Sequence, residues 1–108
     1  METVLAMTAA TETTRFRVHP QAAHRRVGGE YFVVTGDRAF HRLRLTTAVD
    51  LFEAIATRPQ SRSDLVALLC SRYRVEADVA GRDLDAFLTD LVDRQLICAE
   101  PSASERAA

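Results

Sequence analysis

Two apolar periods follow one another along this chain, and their order limits its fold more than any single residue does. Up to Leu45 the apolar residues run in short β-branched or aromatic stretches, Phe16-Arg-Val18 and Tyr31-Phe-Val-Val34, interrupted by Pro20, Gly28-Gly29 and Gly36. Beyond Thr46 they recur three and four residues apart. The first set is Ala48, Leu51, Phe52 and Ile55, and the second is Leu65, Leu68, Leu69 and Tyr73. The third is Ala80, Leu84, Phe87, Leu88 and Leu91. A period of two lines one face of a strand, and a period of 3.6 lines one face of a helix. The order predicts an α+β fold: a three-stranded antiparallel sheet followed by three helices on one of its faces, the layout of a winged helix.

Local signals refine the boundaries. An irregular first strand spans 16–27 and is broken at Pro20, which has no N–H to give a ladder. Thr35-Gly36-Asp37-Arg38 predicts a tight turn, with Gly36 taking the positive φ. The strand from Ala39 to about Leu45 then returns antiparallel to Tyr31–Thr35. Thr46 or Thr47 is placed to cap the first helix, and Pro59 ends it. Ser61 with Asp64 three residues on has the spacing of a capping box. The third helix opens near Asp78, where Gly81 costs it about 1 kcal/mol against Ala. Leu96-Ile97 closes the core.

At 108 residues and 47% apolar content, the chain suits one domain with a single modest core. The folded unit is expected at 15–98, with flexible tails at 1–14 and 99–108. No apolar run nears the roughly 18–20 residues that a membrane span needs. The start, Met1-Glu-Thr-Val-Leu-Ala-Met7, lacks the basic and long apolar regions of a secretory signal. A cytoplasmic protein with two packed thiols, Cys70 and Cys98, follows as the expectation.

Catalysis finds no residues to carry it. His19, His24 and His41 stand in no ligand-spaced pair with a Cys or carboxylate, and no phosphate loop or nucleophile motif occurs. Of the aspartates of the third helix, Asp83 and Asp90 sit beside the apolar stripe and Asp78, Asp85 and Asp93 spread around the solvent side, which reads as a solvated face and not a metal site. No enzyme activity, no cofactor and no metal are expected.

The charge is polarised. From Arg15 to Arg44 seven arginines stand against Glu30 and Asp37, while from Asp78 to Arg94 five aspartates stand against Arg82 and Arg94. A winged-helix DNA-binding regulator stays open as the alternative, but phosphate contacts require a basic recognition helix and the third helix is acidic. The strand from Arg38 to Leu45 fits a peptide better. Alternation sets Arg38, Phe40, Arg42 and Arg44 on one face and Ala39, His41, Leu43 and Leu45 on the other. The second set suits the core, and the first suits an acidic and apolar extended ligand added at a sheet edge. Charged edge strands also discourage aggregation, and that reading stays open beside it.

The residues at the strand-to-helix junction carry a resemblance. Leu43-Arg-Leu-Thr46-Thr-Ala48-Val-Asp-Leu51-Phe52 resembles the Leu-Asn-x-Thr-Ala-x-x-x-Leu-Leu/Trp signature of the PqqD family. Ser61 to Tyr73 is similar to that family's second helix, and Asp78-Val79, Asp85 to Leu88 and Leu91 to Ile97 are similar to its last. Phe16-Arg-Val-His-Pro-Gln-Ala22 resembles the mycofactocin peptide-chaperone (MftB-type) branch. Arg44 stands where the signature has Asn, a departure that points away from the PQQ pathway itself. The resemblance implies a non-catalytic RiPP recognition element, a domain that binds the leader of a ribosomally made precursor peptide. It would present that leader to a modifying enzyme, often a radical SAM protein, with no nucleic acid or membrane involved. It further implies that the leader adds beside the third strand, meeting Arg38, Phe40, Arg42 and Arg44. Asp85, Leu88 and Val92 would meet it from the third helix. A free sheet edge would also allow a homodimer.

Overall fold

The computed structural model describes residues 14–100, so the tails expected at 1–14 and 99–108 fall almost wholly outside the described residues. The described elements are β1 (Arg15–Val18), β2 (Ala23–Val27), β3 (Glu30–Val34), β4 (Phe40–Leu43) and α1 (Thr46–Thr57). They continue with β5 (Gln60–Ser61), α2 (Arg62–Tyr73), α3 (Ala77–Asp93) and β6 (Ile97–Glu100). The fold is α+β, with three helices and two three-stranded antiparallel sheets, β5-β1-β6 and β2-β3-β4.

The second sheet corrects the expectation of one. The stretch 16–27 is two strands and not one broken strand. At His19-Pro20 the chain turns, with the Ala22 N–H donating to the His19 carbonyl at 2.9 Å, and the two halves join different sheets. β1 pairs with β6 in the register Arg15↔Glu100 to Val18↔Ile97, and with β5 through Phe16↔Gln60. These partners lie far along the chain, where no local pattern could announce them. The closing strand therefore runs to Glu100, two residues beyond the end expected at Cys98.

The helices form where their apolar periods predict, but two of their ends differ. Leu45 occupies the N-cap position of α1, and no threonine side chain caps it. Leu45 itself, expected inside, is 76% exposed, because the chain leaves the ladder before reaching it. The far end of α1 is closed by Gln60, whose side-chain amide donates to the Ala54 carbonyl at 3.0 Å. The capping box of α2 forms as its spacing requires. The Asp64 N–H donates to Ser61 Oγ at 3.1 Å, and the Ser61 N–H donates to Asp64 Oδ2 at 3.0 Å. These bonds hold the Asp64 carboxyl below its usual range.

Helix α3 ends in a Schellman turn. The Leu96 N–H reaches the Leu91 carbonyl at 2.9 Å and the Gln95 N–H reaches the Val92 carbonyl at 3.0 Å. Gln95 takes the left-handed position, at φ 65, that glycine favours. Leu96 and Leu91 are both buried behind it.

The core lies between the helices and the inner faces of both sheets, centred on Phe52, Ile55, Leu65, Leu84, Leu96, Ile97 and Val33. Phe52 joins the layers: its ring sits 4.9 Å from that of Tyr31 and 5.5 Å from that of His24. The thiols of Cys70 and Cys98 are free and half-buried.

Three substitutions test this account by thermal and denaturant unfolding. Phe52→Ala should cost about 3–5 kcal/mol through lost burial and a cavity. Ser61→Ala should cost about 1 kcal/mol through the lost cap. Gln95→Gly should raise stability by about 1 kcal/mol, because the left-handed backbone no longer strains a side chain.

Candidate functional site

Strand β4 has one neighbour among the described residues, β3, so its other edge is open. The turn that launches it sets its register. The Arg38 N–H donates to the Thr35 carbonyl at 2.8 Å, and the Thr35 N–H donates to the Ala39 carbonyl at 3.0 Å. Arg38, and not Gly36, takes the positive φ of 67° in this turn. A Cβ at Gly36 would meet the Gln21 side chain, with Oε1 at 2.7 Å, and would displace that exposed, flexible group. The ladder then pairs Val34↔Phe40, Val33↔His41, Phe32↔Arg42 and Tyr31↔Leu43.

Along this strand the alternation is as expected from Ala39 to Arg44: Phe40, Arg42 and Arg44 are exposed, and Ala39, His41 and Leu43 are half-buried. Arg38 lies in the turn, before the strand begins.

The open edge faces α3 across a groove of about 340 Å³. Phe40, His41, Arg42 and Leu43 form the strand side, and Asp90, Leu91, Arg94 and Leu96 form the helix side. His41 Nε2 is buried there with no hydrogen-bond partner among the described residues.

The arginines of the strand are not equivalent. Arg42 makes a bidentate contact with Glu30, its Nη2 at 3.2 Å from Oε2, and lies over the Phe32 ring at 5.7 Å. That hydrogen-bonded contact holds the Glu30 carboxyl below its usual range and raises the Arg42 guanidinium. Arg44 is held more loosely, with its Nε 4.0 Å from Glu30 and its side chain 70% exposed. On the helix side Arg94 Nε donates to Asp90 Oδ1 at 2.8 Å one turn back. Cross-strand and i,i+4 pairs of this exposed kind add little to stability, so they chiefly set local charge.

Asp85, Leu88 and Val92 do not line this groove. They lie on the neighbouring flank of α3 and line a separate pocket of about 300 Å³ with Phe16 of β1 and Arg62 of α2. Arg62 Nε and Nη2 reach the two Asp85 oxygens at 2.7 and 3.0 Å, which holds that carboxyl below its usual range. Leu88 is a core residue, 4% exposed. The helix residues that do face β4 are Asp90, Leu91 and Arg94. Their sequence signal is a salt-bridge spacing beside an apolar position, but which flank of α3 the sheet approaches is a property of packing.

Among the described residues no group of His, Cys, Asp and Glu could hold a metal ion. Among the same residues no helix is long and apolar enough to cross a membrane. The open strand edge, beside a helix wall and over a mainly polar floor, leaves backbone groups of the kind that an extended chain can pair with.

The model of the family described as coenzyme PQQ synthesis protein D (PqqD) matches residues 46–97, from the start of α1 to the first residue of β6. Over these residues the chain is similar to PqqD. Among solved structures, TbiB1 in complex with the TbiA(beta) leader peptide superposes on this chain with a TM-score of 0.69. The two are 16% identical, over 75% of this chain and 93% of that one. A lasso peptide synthetase B1 complexed with its leader peptide gives 0.66 at 24% identity, over 77% of this chain and 96% of the other. The heterocyclase TruD gives 0.56 at 15% identity, over 81% of this chain but only 12% of that much longer one. No curated protein matches this sequence.

The depressed carboxyls give stability a pH dependence. Glu30 and Asp85 are lowered from ordinary values of 4.5 and 3.8, so their contribution is complete above the unfolded values. It is lost as pH falls through the lower folded ones. The melting temperature should hold between pH 7 and 5 and fall below about pH 4, with a shallower fall in a Glu30→Gln/Asp85→Asn variant.

Proposed function

We propose that this domain is a non-catalytic recognition element for the leader of a ribosomally synthesised precursor peptide. The observation that carries this reading is the open edge of β4 lying beside α3 across a groove. Two proteins that share the fold are solved with leader peptides, which supports it. The leader would add as a fourth strand to β2-β3-β4, completing the backbone bonds that β4 leaves unmade. The groove wall from α3 would cover its inward side chains. The domain would then present the bound precursor to a modifying enzyme, a radical SAM protein in a mycofactocin-type pathway, within the cytoplasm. A homodimer through the β4 edge would compete with the leader for the same backbone groups.

Affinity in this arrangement comes first from strand pairing and buried apolar contact, and charge acts chiefly on encounter. The exposed arginines around β4 suit an acidic leader, and their attraction is screened over about 8–10 Å at ordinary salt. The aspartates along α3 weigh against nucleic acid at the same place.

Titration of a fluorescent leader peptide, taken from a small precursor gene beside this one, should saturate at one leader per domain. A signal that rises without saturation would sink the proposal. Arg44→Glu should slow association roughly tenfold at low salt while leaving the melting temperature nearly unchanged. A gel-shift assay with DNA upstream of the gene should give no sequence-specific complex.

A further inference from the structure

The hairpin turn also determines how a docked strand must be read, an inference that rests on the groove being the peptide site. Thr35 and Ala39 are directly opposite one another and hydrogen-bonded, so they form a narrow pair. Narrow and wide pairs alternate along an antiparallel ladder. Val33↔His41 and Tyr31↔Leu43 are therefore narrow, and the N–H and C=O groups of His41 and Leu43 are spent on β3. Val34↔Phe40 and Phe32↔Arg42 are wide, so the backbone groups of Phe40 and Arg42 point out over the open edge.

An added antiparallel strand must place one residue opposite Arg42 and another opposite Phe40, two positions apart, each exchanging two bonds. The antiparallel direction is favoured because parallel pairing slants the bonds and is slightly weaker. The ligand side chains opposite Arg42 and Phe40 then share the outer face of the sheet with them, and the residues opposite Leu43 and His41 turn inward. Inward positions lie over the half-buried Leu43 and His41, with Asp90 and Arg94 at the rim, and an apolar side chain there would extend the core that Leu91 and Leu96 close beneath them. The outer position opposite Phe40 lies beside an aromatic 64% exposed, whose ring is 5.8 Å from that of Phe32, and also wants an apolar partner.

Charge selection falls elsewhere. Arg42 is already matched by Glu30, while Arg44, one step further along the same face, is the loosely held cation. We infer that this groove selects a five-residue strand with an acid opposite Arg44, apolar residues facing α3, an uncharged residue opposite Arg42 and an apolar one opposite Phe40. From its N-terminus the ligand therefore runs acidic, apolar, uncharged, apolar, apolar.

The test uses the full chain and a fluorescein-labelled synthetic peptide with the core Glu-Leu-Ser-Val-Phe between Gly-Ser flanks, read by anisotropy. A control peptide exchanges the first two core residues and the next two, which moves the acid to an inward position. The patterned peptide should bind at least tenfold more tightly than the control. N-methylation of the amides of the Ser and Phe should weaken binding tenfold or more, while N-methylation of the Leu and Val should change it less than threefold. Arg44→Gln should lose severalfold and Arg42→Gln less than twofold. Exchange of the Glu for Lys should restore binding to Arg44→Glu. Equal binding of pattern and control, or equal sensitivity at every amide, overturns the register. If a natural leader binds and the patterned peptide does not, the register falls and the groove reading stands. If neither binds, both fall.

Discussion

The ring of Phe52 is the point on which the arrangement of this molecule turns. It lies between the helices and the sheet β2-β3-β4, against Tyr31 and His24, and is fully buried. Strand β2 is exposed along its whole length, so that sheet is held to the body mainly through the inner face of β3. Burial of an aromatic of this size is worth several times any single exposed ion pair in the structure. The position of β3 on Phe52 in turn sets where β4 lies, and so the width of the groove between β4 and α3. A site built on such a contact is as rigid as the core beneath it, which favours binding of an extended chain without prior rearrangement.

Electrostatics in this protein are largely local. The basic strands and acidic last helix make the surface polarised, yet many of the charges are matched close by: Arg42 by Glu30, Arg62 by Asp85, Arg94 by Asp90, Arg17 by Glu100. An arginine that already shares its fork with a carboxylate offers little to a ligand. Exposure by itself therefore overstates how basic the β4 edge is. For the proposed ligand, what would remain for selectivity is the loosely held Arg44 and the exposed Arg38, together with backbone groups that every peptide can meet. Strand pairing supplies affinity without sequence information, and the side chains around it supply the discrimination.

Much of the fold was legible before the structure. The three helices lie where the apolar residues recur at 3.6, and the capping box of α2 follows from Ser61 and Asp64 three residues apart. The hairpin and the exposed face of β4 follow from alternation. Other features were not legible. Gly36 looked like the residue with positive φ, but Arg38 and Gln95 hold that conformation, because tertiary contacts and helix-end bonds outweigh a local cost of about 1–2 kcal/mol. Leu45 looked buried, yet it faces solvent where the strand hands over to the helix. The sheet β5-β1-β6 stayed hidden, because its strands are short and their partners lie far apart along the chain.

The candidate site divides in the same way. Which residues line the outer face of β4 is a matter of period two, and that the last helix is acidic and amphipathic is a matter of composition and period 3.6. Both are properties of neighbours in sequence, and the sequence determined them alone. Which flank of α3 meets the strand is not, since rotating a helix by a quarter turn changes no local interaction. Only packing chose the flank carrying Asp90, Leu91 and Arg94 over the one carrying Asp85, Leu88 and Val92. The tertiary structure decided it because Leu84, Leu88 and Leu91 had to be buried together beneath Leu96 and Ile97, and that burial leaves one rotation of the helix.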